Sequence, residues 1–386
     1  MKIHIAGFLL LNCITGSSVS AFSTSSSYRT PRVRDTFPST TRSESTAIHS
    51  STSTLPDFRD TTTLPKEIPA PQIRTFAHQV EQALLAKFPE EEIQNVITSW
   101  RLLDQDYQHR EYFGDTKADP LISNQYQFAH SYVPGLSVKP FWDIDNISWA
   151  KKLQQNYKQI LKEFTSVIDN KEKLAAGNNV WAGALTEEAG GYGKGWSTLV
   201  LKDRGIWDET NCNLFPKTAK LIQKSGVPAT EVFFASMKPH SEIKLHSDFT
   251  NFVLTSHLAL QIPQNGENKC RLTIGDEVRQ WKNGEVMVFD TSLMHDAINE
   301  TDETRYILMF RIWHPDLTEV ERDALQLIYD CLSVPELLDE NEAVRLDAEQ
   351  QMQVLKQFPL LKTGGGSGFG GAKKSTASKK KKKGKK

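Results

Sequence analysis

The stretch CRLTIGDEVRQWKNGEVMVFD, residues 270–290, decides the fold. It breaks into three short runs, 270–274, 277–281 and 286–290, each carrying β-branched or aromatic residues. Gly275-Asp276 and Asn283-Gly284 stand between them. Such dipeptides supply the positive φ of a tight turn, so each gap reads as a hairpin connection. Working outward, the same texture recurs at 198–201, 231–237, 254–262 and 306–313, with a further turn signal at Asn265-Gly266. Many short strands at regular spacing predict a mainly β chain, folded as a double-stranded β-helix (jelly roll, cupin-like).

The flanks read as helix. In 73–100, Phe76, Val80, Ala83, Leu84 and Phe88 recur near helical spacing until Pro89 interrupts. In 146–167, Trp149, Leu153, Tyr157, Ile160 and Leu161 form one side. After Pro315, residues 318–331 open with Thr318 and Glu321, a capping-box spacing, and 340–358 is a last helical stretch. The β core therefore has N- and C-terminal helices on either side.

Between the runs at 231–237 and 254–262 lies His246-Ser247-Asp248. In extended backbone, residues i and i+2 point to one side, so the imidazole and the carboxylate aim together. His295 follows 47 residues after Asp248, just past the run at 286–290. Two histidines and one carboxylate on neighbouring strands make a facial triad with open positions, which suits nonheme Fe(II) chemistry with O2 and a chelating oxoacid. Arg305 comes ten residues after His295, at the start of an apolar run. A buried arginine needs an anion, and its planar fork binds carboxylate in bidentate fashion. It is the expected partner of a dicarboxylate cosubstrate. Bland readings stand beside these: His257 as a core histidine, His240 as surface, His314, Trp281 and Trp313 as structural, and Glu187, Glu188 and the 190–195 glycine-rich loop as a flexible segment or a lid.

The arrangement resembles a known family. The motifs are His246-Ser-Asp248-Phe-Thr-Asn251, Ser256-His257-Leu258-Ala259-Leu260, Trp281-Lys-Asn-Gly-Glu-Val-Met-Val-Phe-Asp290, and Trp313-His314-Pro315-Asp316-Leu317-Thr318. Upstream stand Pro134-Gly135-Leu136, Lys139-Pro140-Phe141-Trp142, Asn211-Cys212 and Pro216-Lys217-Thr218. Across about 132–322, the chain is similar to the aspartyl/asparaginyl β-hydroxylases. The resemblance implies a double-stranded β-helix and 2-oxoglutarate oxidation coupled to hydroxylation. It implies His246 and His295 as iron ligands, Arg305 on the distal carboxylate of 2-oxoglutarate, and His257 near its other end. Asp248 stands where the animal members have glycine, and Thr255 where they have arginine. Ala219 stands at the second cysteine of their catalytic-domain disulfide, leaving Cys212 alone. Ala235 aligns with a serine that assists the distal carboxylate, and Ser236 is next to it. Thr255 and Ser236 are thus candidate cosubstrate contacts.

The substrate class stays open between Asp or Asn side chains of a protein and acyl chains of lipids or small molecules. A non-catalytic jelly-roll binding module is the alternative from a different class.

The ends read differently from the body. Residues 1–21 have a basic start at Lys2, an apolar stretch and Val19 and Ala21 before a cleavage point, as in a signal peptide. Phe22 and the Ser/Thr-rich, arginine-bearing segment after it resemble the bipartite plastid presequence of diatoms and related algae. Plastid targeting is expected, with the secretory pathway as the alternative, and no anchor in the mature chain. Nine lysines lie between Lys373 and Lys386, so a net charge of −1 hides a body of about −10. That body excludes specific nucleic-acid binding, while the tail suits anionic surfaces. The three body cysteines, Cys212, Cys270 and Cys331, form no CxxC and no disulfide framework. The expected organisation is 1–21 leader, 22–65 transit segment and linker, 66–130 helical region, 131–325 dioxygenase domain, 326–361 helices and 362–386 tail.

Overall fold

The computed structural model describes residues 64–112, 125–183, 193–263 and 267–361. The presequence, the lysine tail, the Asn265-Gly266 turn and most of the 187–195 loop lie outside the described residues.

Fourteen strands carry the architecture: β1 (His109–Tyr112), β2 (Tyr126–Ser131), β3 (Phe141–Trp142), β4 (Trp196–Asp203), β5 (Ile206–Trp207), β6 (Ala229–Met237), β7 (Ser241–His246), β8 (Phe249–Thr250), β9 (Val253–Gln261), β10 (Cys270–Ile274), β11 (Glu277–Gln280), β12 (Val286–Phe289), β13 (His295–Asn299) and β14 (Arg305–Trp313). Seven make one sheet in the order β3-β12-β9-β14-β6-β4-β5, and four make a second in the order β11-β10-β13-β7. Every pairing within these two sheets is antiparallel. The chain crosses repeatedly from one sheet to the other, which is the double-stranded β-helix expected. A smaller sheet, β1-β2-β8, flanks it.

Strand parity sorts the large sheet into two faces. On β9 and β14, Leu254, Leu258, Leu260, Leu308, Phe310 and Ile312 join a core packed under helices Ser148–Gln155, Tyr157–Ile168 and Pro216–Ser225. The alternate residues face the second sheet, where Phe233, Ala259, Leu272, Phe289, Ile307 and Met309 form an inner core. Both faces are covered, so the apolar residues of these strands do not alternate with exposed polar ones. Burying each phenylalanine contributes on the order of 2 kcal/mol. A third cluster joins helices Phe76–Lys87 and Gln94–Asp104 to Glu319–Ser333. The capping box forms: the Thr318 hydroxyl accepts from the Glu321 amide, and the Glu321 carboxylate accepts from the Thr318 amide.

Two expectations are corrected. Gly275-Asp276 closes a true hairpin between β10 and β11, with Gly275 at φ 59°. Asn283-Gly284 does not, because β11 and β12 belong to different sheets. Trp281 turns inward and is 1% exposed, while the Asn283 amide holds both backbone groups of Ile262, so this turn is a corner between sheets. The 66–130 region is not wholly helical: its described part ends in β1 and β2, which pair with each other. His295 lies just past β12, as expected, and itself opens a further strand, β13.

Candidate metal and cosubstrate site

His246 ends β7, and His295 begins β13 directly opposite it in the register. Their ring centroids are 4.2 Å apart. Each ring is oriented through Nδ1 by a carbonyl two residues upstream, Lys244 O at 2.7 Å and Leu293 O at 2.9 Å. A neutral ring donates from Nδ1 to such a carbonyl, which leaves Nε2 with its lone pair, the form that binds a metal.

Asp248 is not on the same strand as His246, contrary to the extended-segment argument. Backbone pairing stops after His246, and the chain is pinned by Ser247, whose hydroxyl donates to Phe128 O at 2.6 Å. The Asp248 amide then donates to Thr291 O at 2.8 Å. This corner places Asp248 Oδ1 3.5 Å from His246 Nε2 and 3.9 Å from His295 Nε2. One ligand atom from each of the three residues lies within 4.8 Å of the others. Burial alone would raise the Asp248 carboxyl, but Arg311 and the two imidazoles hold it well below the usual range. Burial, reinforced by His246, pushes the His295 imidazole down to about 3. Two imidazole nitrogens and one carboxylate oxygen are a donor set that fits Fe(II).

Across the cavity, the large sheet contributes His257 and Arg305. Trp281 joins them: its Nε1 donates to His257 Nδ1 at 3.2 Å, and the Arg305 guanidinium carbon lies 4.0 Å from its ring centroid. Burial, then the nearby Arg305, keeps the His257 imidazole well below its usual value, hence neutral. With Nδ1 accepting, its proton sits on Nε2, which has no hydrogen-bond partner among the described residues. Arg305 is 1% exposed. Its only hydrogen bond among the described residues is from Nη2 to Met237 Sδ at 3.1 Å, and Nε and Nη1 have none. Burial lowers its guanidinium to about 10, still charged at neutral pH. A buried cation facing a cavity without a carboxylate partner fits an anionic ligand.

Thr255 also lines the cavity. Ser236 does not: it lies on the opposite face of β6, where its hydroxyl is 2.7 Å from Ser197 Oγ. Alternation along β6 puts Phe233, Ala235 and Met237 inward instead. Sequence reasoning missed Arg311 and Thr291. Arg311 Nη1 donates to Asp248 Oδ2, to Thr255 Oγ1 at 2.7 Å and to Thr291 Oγ1 at 2.9 Å. The signal was an arginine in the middle of the otherwise apolar run of β14.

Residues 154–315 match the family model described as Aspartyl/Asparaginyl beta-hydroxylase. The chain is 30% identical over 204 residues to the "Aspartyl/asparaginyl beta-hydroxylase" of Mus musculus, covering 51% of this chain and 26% of that protein. These matches support a hydroxylase of that family. The chain spans about a quarter of the length of the mouse relative. It is also 27% identical over 170 residues to the "Ornithine lipid ester-linked acyl 2-hydroxylase" of Rhizobium tropici, covering 44% of this chain and 58% of that protein. Among solved structures, a 2OG-Fe(II) oxygenase family oxidoreductase from Burkholderia pseudomallei aligns at 13% identity and a TM-score of 0.23, over 30% of this chain and 65% of that one. The fold assignment rests on the strand pairing above.

His246 and His295, the two histidines that the resemblance implies as metal ligands, stand side by side. The departures at Asp248 and Thr255 meet at one guanidinium, that of Arg311. All three body cysteines are free and buried. Among the described residues, no helix is long and apolar enough to cross a membrane.

Proposed function

We propose that this protein is an Fe(II)- and 2-oxoglutarate-dependent dioxygenase that hydroxylates an unactivated C–H bond. The observation that carries the reading is Arg305, a buried guanidinium that has no carboxylate partner among the described residues, across the cavity from a His-Asp-His cluster. His246, Asp248 and His295 hold the metal. Ferrous iron, when bound, supplies the activation of O2 that couples oxidative decarboxylation of the cosubstrate to hydroxylation. Arg305 takes the distal carboxylate of 2-oxoglutarate in its planar fork. The His257 Nε2–H donates to the other end. The two sheets exclude water from the chemistry.

The name of the mouse relative supports the β-carbon of Asp or Asn residues in a protein as the target. A second reading, an acyl chain of a lipid, is supported by the similarity to the Rhizobium hydroxylase. Residues 1–65 are assigned to plastid delivery, 131–325 to the dioxygenase domain, and the lysine tail to anionic surfaces. The test uses the purified protein with ferrous iron and either 2-oxoglutarate or pyruvate, which lacks the distal carboxylate. Turnover of 2-oxoglutarate alone is expected, and equal turnover of pyruvate refutes the role of Arg305. Adding Asp/Asn peptides or acylated lipids, and reading the gain of one oxygen, separates the two substrate classes.

A further inference from the structure

Arg311 is 2% exposed, in the second half of β14, and lies behind the metal ligands rather than among the residues that line the cavity. Its Nη1 gathers three oxygens from three separate elements: Asp248 Oδ2 after β7, Thr255 Oγ1 on β9 and Thr291 Oγ1 after β12. The two hydroxyls are themselves 3.2 Å apart. Thr255 stands directly opposite Arg311 in the strand register, so this contact is set by the sheet and not by a flexible reach. The other carboxylate oxygen, Asp248 Oδ1, is the one facing both imidazoles.

We propose that Arg311 is a positioning residue, which fixes Asp248 as a one-oxygen metal ligand and which forms with Asp248 and Thr255 a single unit. The inference rests on the metal-site reading above and deepens it. A carboxylate on a free side chain can turn and offer both oxygens to a metal, occupying a position that cosubstrate or O2 needs. With Oδ2 engaged, only Oδ1 is available. The pairing is also electrostatic. Moving one ion into the interior costs several kcal/mol, which a close, hydrogen-bonded opposite charge offsets. Removing either partner therefore takes from the other its close opposite charge. Asp248→Gly leaves a buried guanidinium without this carboxylate, and Arg311→Leu leaves a buried carboxylate without this guanidinium. Loss of activity in Asp248→Gly alone would accordingly say nothing about whether Asp248 ligates iron.

The full-length protein is freed of metal and titrated with Co(II), a spectroscopic stand-in for Fe(II). Affinity, the visible absorption of the bound cobalt and the melting temperature of the metal-free protein are recorded. The variants are Arg311→Leu, Arg311→Lys, Asp248→Gly and Asp248→Gly/Arg311→Leu. Arg311→Leu is expected to weaken cobalt binding about 10- to 100-fold, the usual cost of losing an outer-sphere partner. It should also change the absorption spectrum, and Arg311→Lys should recover part of both. Wild-type affinity and spectrum in a folded Arg311→Leu overturn the proposal, whatever its melting temperature. Should Arg311→Leu not fold, the double variant decides. Melting above the Asp248→Gly single variant supports the unit, and additive loss overturns it. Failure of the wild-type protein to bind cobalt refutes the metal-site reading instead, and the metal-free melting cycle still tests the pair.

Discussion

The Arg305 guanidinium sits over the Trp281 indole, its carbon 4.0 Å from the ring centroid, and has no carboxylate within reach among the described residues. The ring face attracts the cation, worth up to about 2 kcal/mol when desolvated, which is less than the cost of burying the charge. The Arg305 charge is therefore only partly compensated among the described residues, at a place that would suit an anionic ligand.

Arg305→Leu should separate binding from stability. The apparent affinity for 2-oxoglutarate should fall about 30-fold or more, corresponding to at least about 2 kcal/mol. The melting temperature of the ligand-free protein should stay level or rise, since an unpaired buried charge has gone. Enzyme kinetics and thermal melts check both. A large loss of stability with little change in cosubstrate affinity would make Arg305 a structural residue.

Trp281 sets the His257 tautomer. Its Nε1–H donates to His257 Nδ1, so the imidazole proton lies on Nε2. Two-bond nitrogen–proton correlations should report the Nε2–H form in the wild type. Trp281→Phe removes the donor and should mix the tautomers, raising KM for 2-oxoglutarate more than it lowers kcat. A wild-type spectrum showing the Nδ1–H form would contradict the assignment.

Glu231 gives a pH signature. Burial first, and then Asp203, raise its carboxyl to about 8, against an ordinary value of 4.5. Between those values the unfolded chain has released the proton and the folded chain still holds it. Stability then falls as pH rises, since the unfolded state binds fewer protons. Glu231→Gln should remove this part of the slope, so that its stability gain over wild type grows from pH ~4.5 towards pH ~8. Urea denaturation across that range measures it, and a gain independent of pH would contradict the shift.

Thr318→Ala should cost about 1 kcal/mol, because it removes the hydroxyl that accepts from the Glu321 amide at the start of Glu319–Ser333, while the Thr318 amide keeps its bond to the Glu321 carboxylate. Denaturant midpoints report it. An unchanged midpoint would mean that packing of Ala324, Leu325 and Ile328 alone holds this helix.

How much of this was legible in the sequence follows from the range of the interactions. The runs that became β6, β9, β10, β12 and β14 were readable because they are rich in apolar and β-branched residues and bounded by turn signals, and the capping box is a local spacing. His246, His295 and Arg305, singled out because metal and carboxylate binding would demand those residue types near strand ends, line one cavity. Asn283-Gly284 misled, because a tight turn looks the same whether its strands pair or part to different sheets. Ser236 misled for a similar reason: a one-residue shift along β6 moves a side chain to the other face. The Arg311 clamp joins positions 63 and 56 residues apart, which no local pattern encodes. Only an arginine among apolar neighbours hinted at it.

The central claim is that His246, Asp248 and His295 hold a ferrous ion that drives 2-oxoglutarate turnover. The most direct measurement is succinate formed from 2-oxoglutarate by metal-free protein reconstituted with Fe(II), for the wild type and for His295→Ala. The account predicts succinate from the wild type only when ferrous iron is present, and none above background from a folded His295→Ala. Full turnover by His295→Ala, or iron-independent turnover by the wild type, would contradict it.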